Sequence, residues 1–152
     1  MIPTAMHLAC ISQITKQLLP VITLMEQTHK KITEFKEVIK VGRTHLQDAV
    51  PISLEMEFAV YKEQLMKTKQ RLESVLQELY LLLLGGTIFG TGLNASSQYT
   101  DYALANLREL TGFPFKTNSV KAEGIASHNS LAYLSSVLKL LALTLLKMTN
   151  NI

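Results

Sequence analysis

Apolar residues recur at Leu8, Ile11, Leu18, Ile22, Met25, Ile32, Phe35 and Ile39, separated by steps built from threes and fours. That period predicts a long amphipathic helix from about Thr4 to Ile39. Pro20 falls inside it, removes one backbone donor and clashes with the preceding turn, which predicts a kink or a break. A second helix is predicted from Pro51 to about Leu84, with Leu54, Phe58, Tyr61, Leu65, Leu72, Val75, Leu79 and Leu82 at near-heptad spacing. Its other face is charged, through Glu55, Lys62, Glu63, Lys67, Lys69, Arg71 and Glu73.

The period breaks at Gly85-Gly86-Thr87-Ile88-Phe89-Gly90-Thr91-Gly92-Leu93-Asn94, which reads as an irregular loop with close backbone approaches. A short helix from about Gln98 to Leu110 follows, and Thr111-Gly112-Phe113-Pro114 closes it with a glycine-then-proline stop. The last helix is predicted to start near Ser119 or Lys121 and to continue to the end of the chain. Between Val137 and Met148 it is apolar on nearly every face, through Leu138, Leu140, Leu141, Leu143, Leu145 and Leu146. A helix that is apolar all round must be surrounded, and exposing its leucines costs roughly 1.5–3 kcal/mol each. Self-association is therefore expected. With no β-alternation beyond a few residues and no internal repeat, the fold class is all-α, a bundle of long helices.

Length and charge narrow the options. The 152 residues suit one helical domain, 1–152, burying roughly two-thirds of its unfolded surface. A net charge of +3 without a basic stripe argues against nucleic acid. Cys10 is the only cysteine, so no intrachain disulfide can form and no zinc-type thiol spacing exists; a reducing cytoplasmic setting fits. Met1 to His7 lacks the basic stretch and apolar block of a secretory signal. The runs Leu79–Leu84 and Val137–Met148 fall short of the ~20 uninterrupted apolar residues of a membrane span. Both read as interior helix, and no membrane partner is expected.

The chemistry concentrates at Gly42-Arg43-Thr44-His45-Leu46-Gln47-Asp48-Ala49-Val50-Pro51. Gly42 is placed to end one helix in a left-handed conformation, and Pro51 to sit in the first turn of the next. A loop braced between rigid helices can hold hydroxyl, imidazole, guanidinium, amide and carboxylate groups towards one cleft. His45 then serves in proton transfer or anion binding near a helix start. The plainer alternative makes Thr44 or Asp48 a helix cap and His45 a solvated loop residue. His7 and His29 lie on helices without clustered partners, His128 sits with Asn129 and Ser130 near the start of the last helix, and all three read as structural. The glycine loop lacks the lysine and the preceding strand of a phosphate loop. No metal-ligand spacing is present.

The run Gly42–Pro51, then Glu57-Phe58, then Gly85-Gly86-Thr87 and Gly90-Thr91-Gly92-Leu93-Asn94, resembles the fumarase/aspartase superfamily in order and separation. Pro3-Thr4-Ala5-Met6-His7 resembles the segment after that family's Ser-Ser-Asn-Asp motif, and Lys147-Met148-Thr149-Asn150-Asn151-Ile152 resembles its Lys-Ile-Ala-Asn-Asp-Ile stretch. The resemblance implies the central helical domain of a larger lyase that assembles as a homotetramer. It also implies a dicarboxylate substrate (aspartate, malate or fumarate), elimination through an aci-carboxylate intermediate, and no cofactor. On the same basis Thr44 and His45 contact substrate, with His45 catalytic, while Arg43, Gln47 and Asp48 support the loop.

Some positions depart from the family pattern. The Ser-Ser-Asn-Asp motif is expected before Met1 and the mobile loop with the catalytic serine beyond Ile152, so this stretch alone is expected to be inactive. Glu55-Met56 replaces the usual Gly-Gln, and Asn151 the usual Asp. Thr44–Ile52, Asn94-Ala95 with Tyr99, and Thr111–Pro114 look more like aspartases; Gly85-Gly86-Thr87 and Pro3–His7 look more like fumarases. The expectation by number of segments is a parent aspartate ammonia-lyase, with fumarate hydratase the alternative. A non-catalytic helical assembly scaffold is a third reading.

Overall fold

The computed structural model describes residues 2–96 and 98–151, with the side chains of residues 28–31 and 151 outside the description. The side chain of His29, read above as structural, therefore lies outside the described residues, as do Ile152 and the Asn151 side chain.

The N-terminal apolar period does form a helical rod, but Pro20 does not break it. Helix α1 (Ile2–Gln13) passes through a π-helical turn (Ile14–Leu18) into α2 (Leu19–Thr28) and a 3₁₀ segment (His29–Phe35). The widened turn lies just before Pro20, where a ring without an N–H is most easily absorbed. Ile11, Ile14 and Ile22 are buried along its inner face.

The chemistry-rich run is not a loop between helices. Strand β1 (Ile39–Thr44) pairs antiparallel with β2 (Gln47–Ser53), so Gly42 and Pro51 lie inside strands and cap nothing. Gly42 pairs with Val50 and Arg43 with Asp48, which leaves Ala49 as the extra residue of a bulge. Ile39, Val41, Val50 and Ile52 supply the branched side chains that favour strand. The cap expected of Thr44 or Asp48 comes from Ser53, whose Oγ accepts from the Met56 N–H at 3.2 Å.

Helix α3 (Leu54–Leu79) is the axis of the molecule. Tyr61, Leu65, Thr68, Leu72, Val75 and Leu79 are buried at alternating steps of four and three, which is the heptad stripe seen in the sequence. The N-terminal rod packs on one side of it, pinned by Lys69 Nζ to Glu26 Oε2 at 3.0 Å. The run Leu79–Leu84 leaves the helix, and Leu81–Leu82 form β3, parallel to β4 (Lys116–Thr117). Helix α4 (Tyr99–Thr111) stops at Gly112, whose φ of 74° makes the left-handed cap expected there. Tyr80, Phe113 and Phe115 then cluster edge to face, with Phe115 fully buried.

The last helix is two helices, α5 (Lys121–Ala126) and α6 (Asn129–Asn151), parted where Ser127 is extended. The division lets α5 lie on the glycine loop: a Cβ on Gly90 would sit 2.3 Å from the Ala122 nitrogen. Helix α6 runs back along α3 and buries Leu134, Val137, Leu141 and Met148, while Leu138, Leu140, Leu143 and Leu146 stay exposed. The stretches Ile2–Gln27 and Asn129–Asn150 are long and apolar enough to cross a membrane by composition alone, longer than the runs counted above. Here both pack on the charged, amphipathic α3. The fold is an all-α bundle of long helices to which two small two-stranded sheets are added.

Candidate functional site

The hairpin carries every residue singled out by sequence. Thr44 and Gln47 close it as the last backbone pair, leaving His45 and Leu46 as a two-residue turn. Both turn residues have positive φ, 51° and 63°. A two-residue hairpin of this hand requires that conformation, which glycine and asparagine normally supply. Holding His and Leu there costs of order 1–3 kcal/mol each. Such strain is kept where a side chain must be displayed.

Arg43 Nε donates to Asp48 Oδ1 at 3.0 Å across the hairpin. The pair faces solvent on both sides, so it orients the tip more than it stabilises the fold. Gln47 contributes its backbone pairing with Thr44, and its side chain is exposed. Thr44 and His45 are likewise exposed.

Three residues that sequence reasoning did not place in a site join the hairpin. An open groove of 810 Å³ is lined by Lys40, Gly42, Thr44, His45, Glu57 and Asn150 among others. Lys40 Nζ donates to Glu57 Oε2 at 2.6 Å, and the Tyr61 hydroxyl reaches Glu57 Oε1 at 3.4 Å. This pair ties the hairpin to the first turn of α3. The one available signal was register: Lys40 sits between Ile39 and Val41, so the hairpin turns Lys40 towards α3 and Ile39 and Val41 to solvent. Asn150 arrives only because α6 runs antiparallel to α3.

The groove brings together imidazole, hydroxyl and amide groups, with Lys40 and Arg43 each paired to a carboxylate, and these groups suit a small polar ligand. Among the described residues, no three of His, Cys, Asp and Glu converge to hold a metal ion.

A second cavity, of 520 Å³, lies at the far end of α3 and is lined by Pro3, Thr4, Gly86, Thr87, Asn94 and Tyr99, with others. It joins two segments that sequence treated separately, the N-terminal stretch and the glycine loop. A 26-residue helix separates it from the hairpin, about 39 Å at 1.5 Å per residue. No single copy of this chain can bring the two cavities together.

The lyase family profile matches residues 1–152. Fumarate hydratase class II of Ralstonia nicotianae is 44% identical over 151 residues, covering 99% of this chain and 33% of the relative. Fumarate hydratase class II of Thermosynechococcus vestitus is 42% identical, covering 99% and 32%. Among solved structures, recombinant class II fumarase from Schistosoma mansoni superposes with a TM-score of 0.92 at 33% identity, over 98% of this chain and 34% of that one. Fumarate lyase:delta crystallin from Brucella melitensis, in native form, gives 0.84 at 30% identity, over 98% and 32%. The chain thus spans about a third of the length of the curated relatives it matches. With the profile matching end to end and the helices, glycine loop and hairpin superposing on solved members, the chain belongs to the fumarase/aspartase superfamily of lyases.

Proposed function

We propose that this chain is the central helical part of a class II fumarate hydratase, whose reaction is the reversible interconversion of L-malate with fumarate and water. The supporting observation is that the relatives cited above carry that name at up to 44% identity. The sequence expectation of aspartate ammonia-lyase rested on Thr44–Ile52, Asn94-Ala95 and Thr111–Pro114, and it yields to its alternative. In this reading Thr44 and His45 contact a substrate carboxylate, His45 being the catalytic residue of the pair. Donors there hold the negative charge that develops as the carbon α to that carboxylate loses its proton. Arg43, Gln47 and Asp48 keep the strained tip in position. The two cavities separated by α3 favour active sites completed between copies, in a homotetramer.

A chimera tests this. The corresponding third of the Ralstonia nicotianae fumarate hydratase is replaced by residues 1–152, and fumarate absorbance is followed with L-malate and with L-aspartate. Turnover of L-malate only is expected, and His45→Asn in the chimera should lower kcat by ~100-fold or more. A folded chimera that deaminates L-aspartate, or one indifferent to His45→Asn, would overturn the assignment. A folded but inert chimera would favour the scaffold reading.

A further inference from the structure

His7 is buried where α1, the end of α3 and the start of α6 meet, at the end of the molecule away from the hairpin. Its Nδ1 lies 3.1 Å from the carbonyl oxygen of Leu79. A carbonyl only accepts, so Nδ1 carries the proton and Nε2 keeps a lone pair. Ser130 Oγ lies 3.1 Å from that Nε2. The hydroxyl therefore donates to the ring, in the order nucleophile, base, orienting acceptor.

A cavity of 140 Å³ opens beside this pair, lined by His7, Ser130, Asn118, Asn129, Glu78 and Glu123 among others. With about 30 Å³ per water molecule in the liquid, the space suits a group of a few heavy atoms. Asn118 Oδ1 accepts from the Val120 N–H at 2.9 Å, which leaves its amide NH₂ as the end able to donate. Ser130 also sits at the positive end of the 23-residue α6. Burial, the largest influence on His7, lowers its pKa from 6.5, so the ring is unprotonated at neutral pH.

We propose that Ser130 is a nucleophile activated by His7, and that the adjoining cavity is an acylation site for short-chain activated esters. Ser130 Oγ bonds to the acyl carbon while its proton passes to His7 Nε2. The bond from that carbon to the leaving oxygen breaks, and the imidazolium returns the proton to the departing alcohol or phenol. The ester is the only co-reactant. Glu78 and Glu123, from α3 and α5, line the same cavity, while a charge on His128 opposes the imidazolium formed in transit. The inference does not rest on fumarate hydration: the cavity beside Ser130 shares only Leu83 with the 520 Å³ cavity at the same end of α3 and no residue with the groove at His45.

The test treats the purified chain with p-nitrophenyl acetate and follows both p-nitrophenolate release and the acylated residue by peptide mass spectrometry. One acetyl group at Ser130 and a stoichiometric burst are expected, with a rate that falls as pH drops through the His7 pKa, which burial holds below 6.5. Ser130→Ala should abolish both while leaving the fold unchanged. His7→Asn retains an amide donor for Leu79 and removes the base, and should slow acylation by ~100-fold. Acetyl groups on lysines alone, or Ser130 acylation at the same rate in His7→Asn, would overturn the proposal. If His7→Asn does not fold, a flat pH profile in the unaltered chain would overturn it equally.

Discussion

At the scale of single residues, His7 and His45 exchange the prominence that spacing assigns them. His45 stands among polar neighbours in sequence, yet in the monomer its side chain is exposed on a turn. His7 lies in an apolar helix but is the buried histidine among the described residues, bonded on both nitrogens. Desolvation holds its pKa below 6.5, partly offset by the carbonyl of Leu79. Between that lowered value and 6.5 the unfolded chain binds a proton that the folded chain does not. Stability is therefore expected to fall as pH drops below about 6.5 and to level off below the folded-state pKa. Urea titrations at pH ~8 and pH ~5 check this, and His7→Asn should lose that part of the dependence. Greater stability of the unaltered chain at the lower pH, relative to the variant, would contradict it. The partners of His7 are 72 and 123 residues away, so no local pattern could have found them.

Among the elements, α3 was legible and the hairpin was not. A helix with one buried stripe repeats its signature over 26 residues, and each turn reinforces the reading. The hairpin inverts the usual alternation of β1, with Lys40 facing α3 while Ile39 and Val41 face out. Its turn residues, His and Leu, are not those that two-residue turns of this hand favour. Glycine and proline signals at Gly42 and Pro51 thus read as helix punctuation when they mark a bulge and a strand. The strain is testable at Leu46, which is 95% exposed and makes no packing contribution to lose. Leu46→Gly should raise stability by about 1 kcal/mol, since a left-handed conformation costs an L-residue that much. An unchanged or lower Tm would mean that the turn is not held under strain.

For the whole molecule, the unresolved demand is the outer face of α6. Leu140, Leu143 and Leu146 are 44%, 52% and 57% exposed in one copy, an apolar row that water does not favour. Leu143→Glu is expected to leave the α3-facing stripe intact while shifting the chain towards monomer in light scattering. A mutant that associates as tightly as the original would place the interface elsewhere. Local periodicity, charge placement and the glycine-proline stop at Gly112 are enough to determine the long helices, the buried heptad stripe and the family resemblance, because each depends on residues a few positions apart. Only the folded chain decides that Asn150 meets the hairpin, that Pro3 meets the glycine loop and that Ser130 meets His7. Those meetings follow from how antiparallel helices return distant segments to the same end of a bundle, and neighbouring residues carry no information about that.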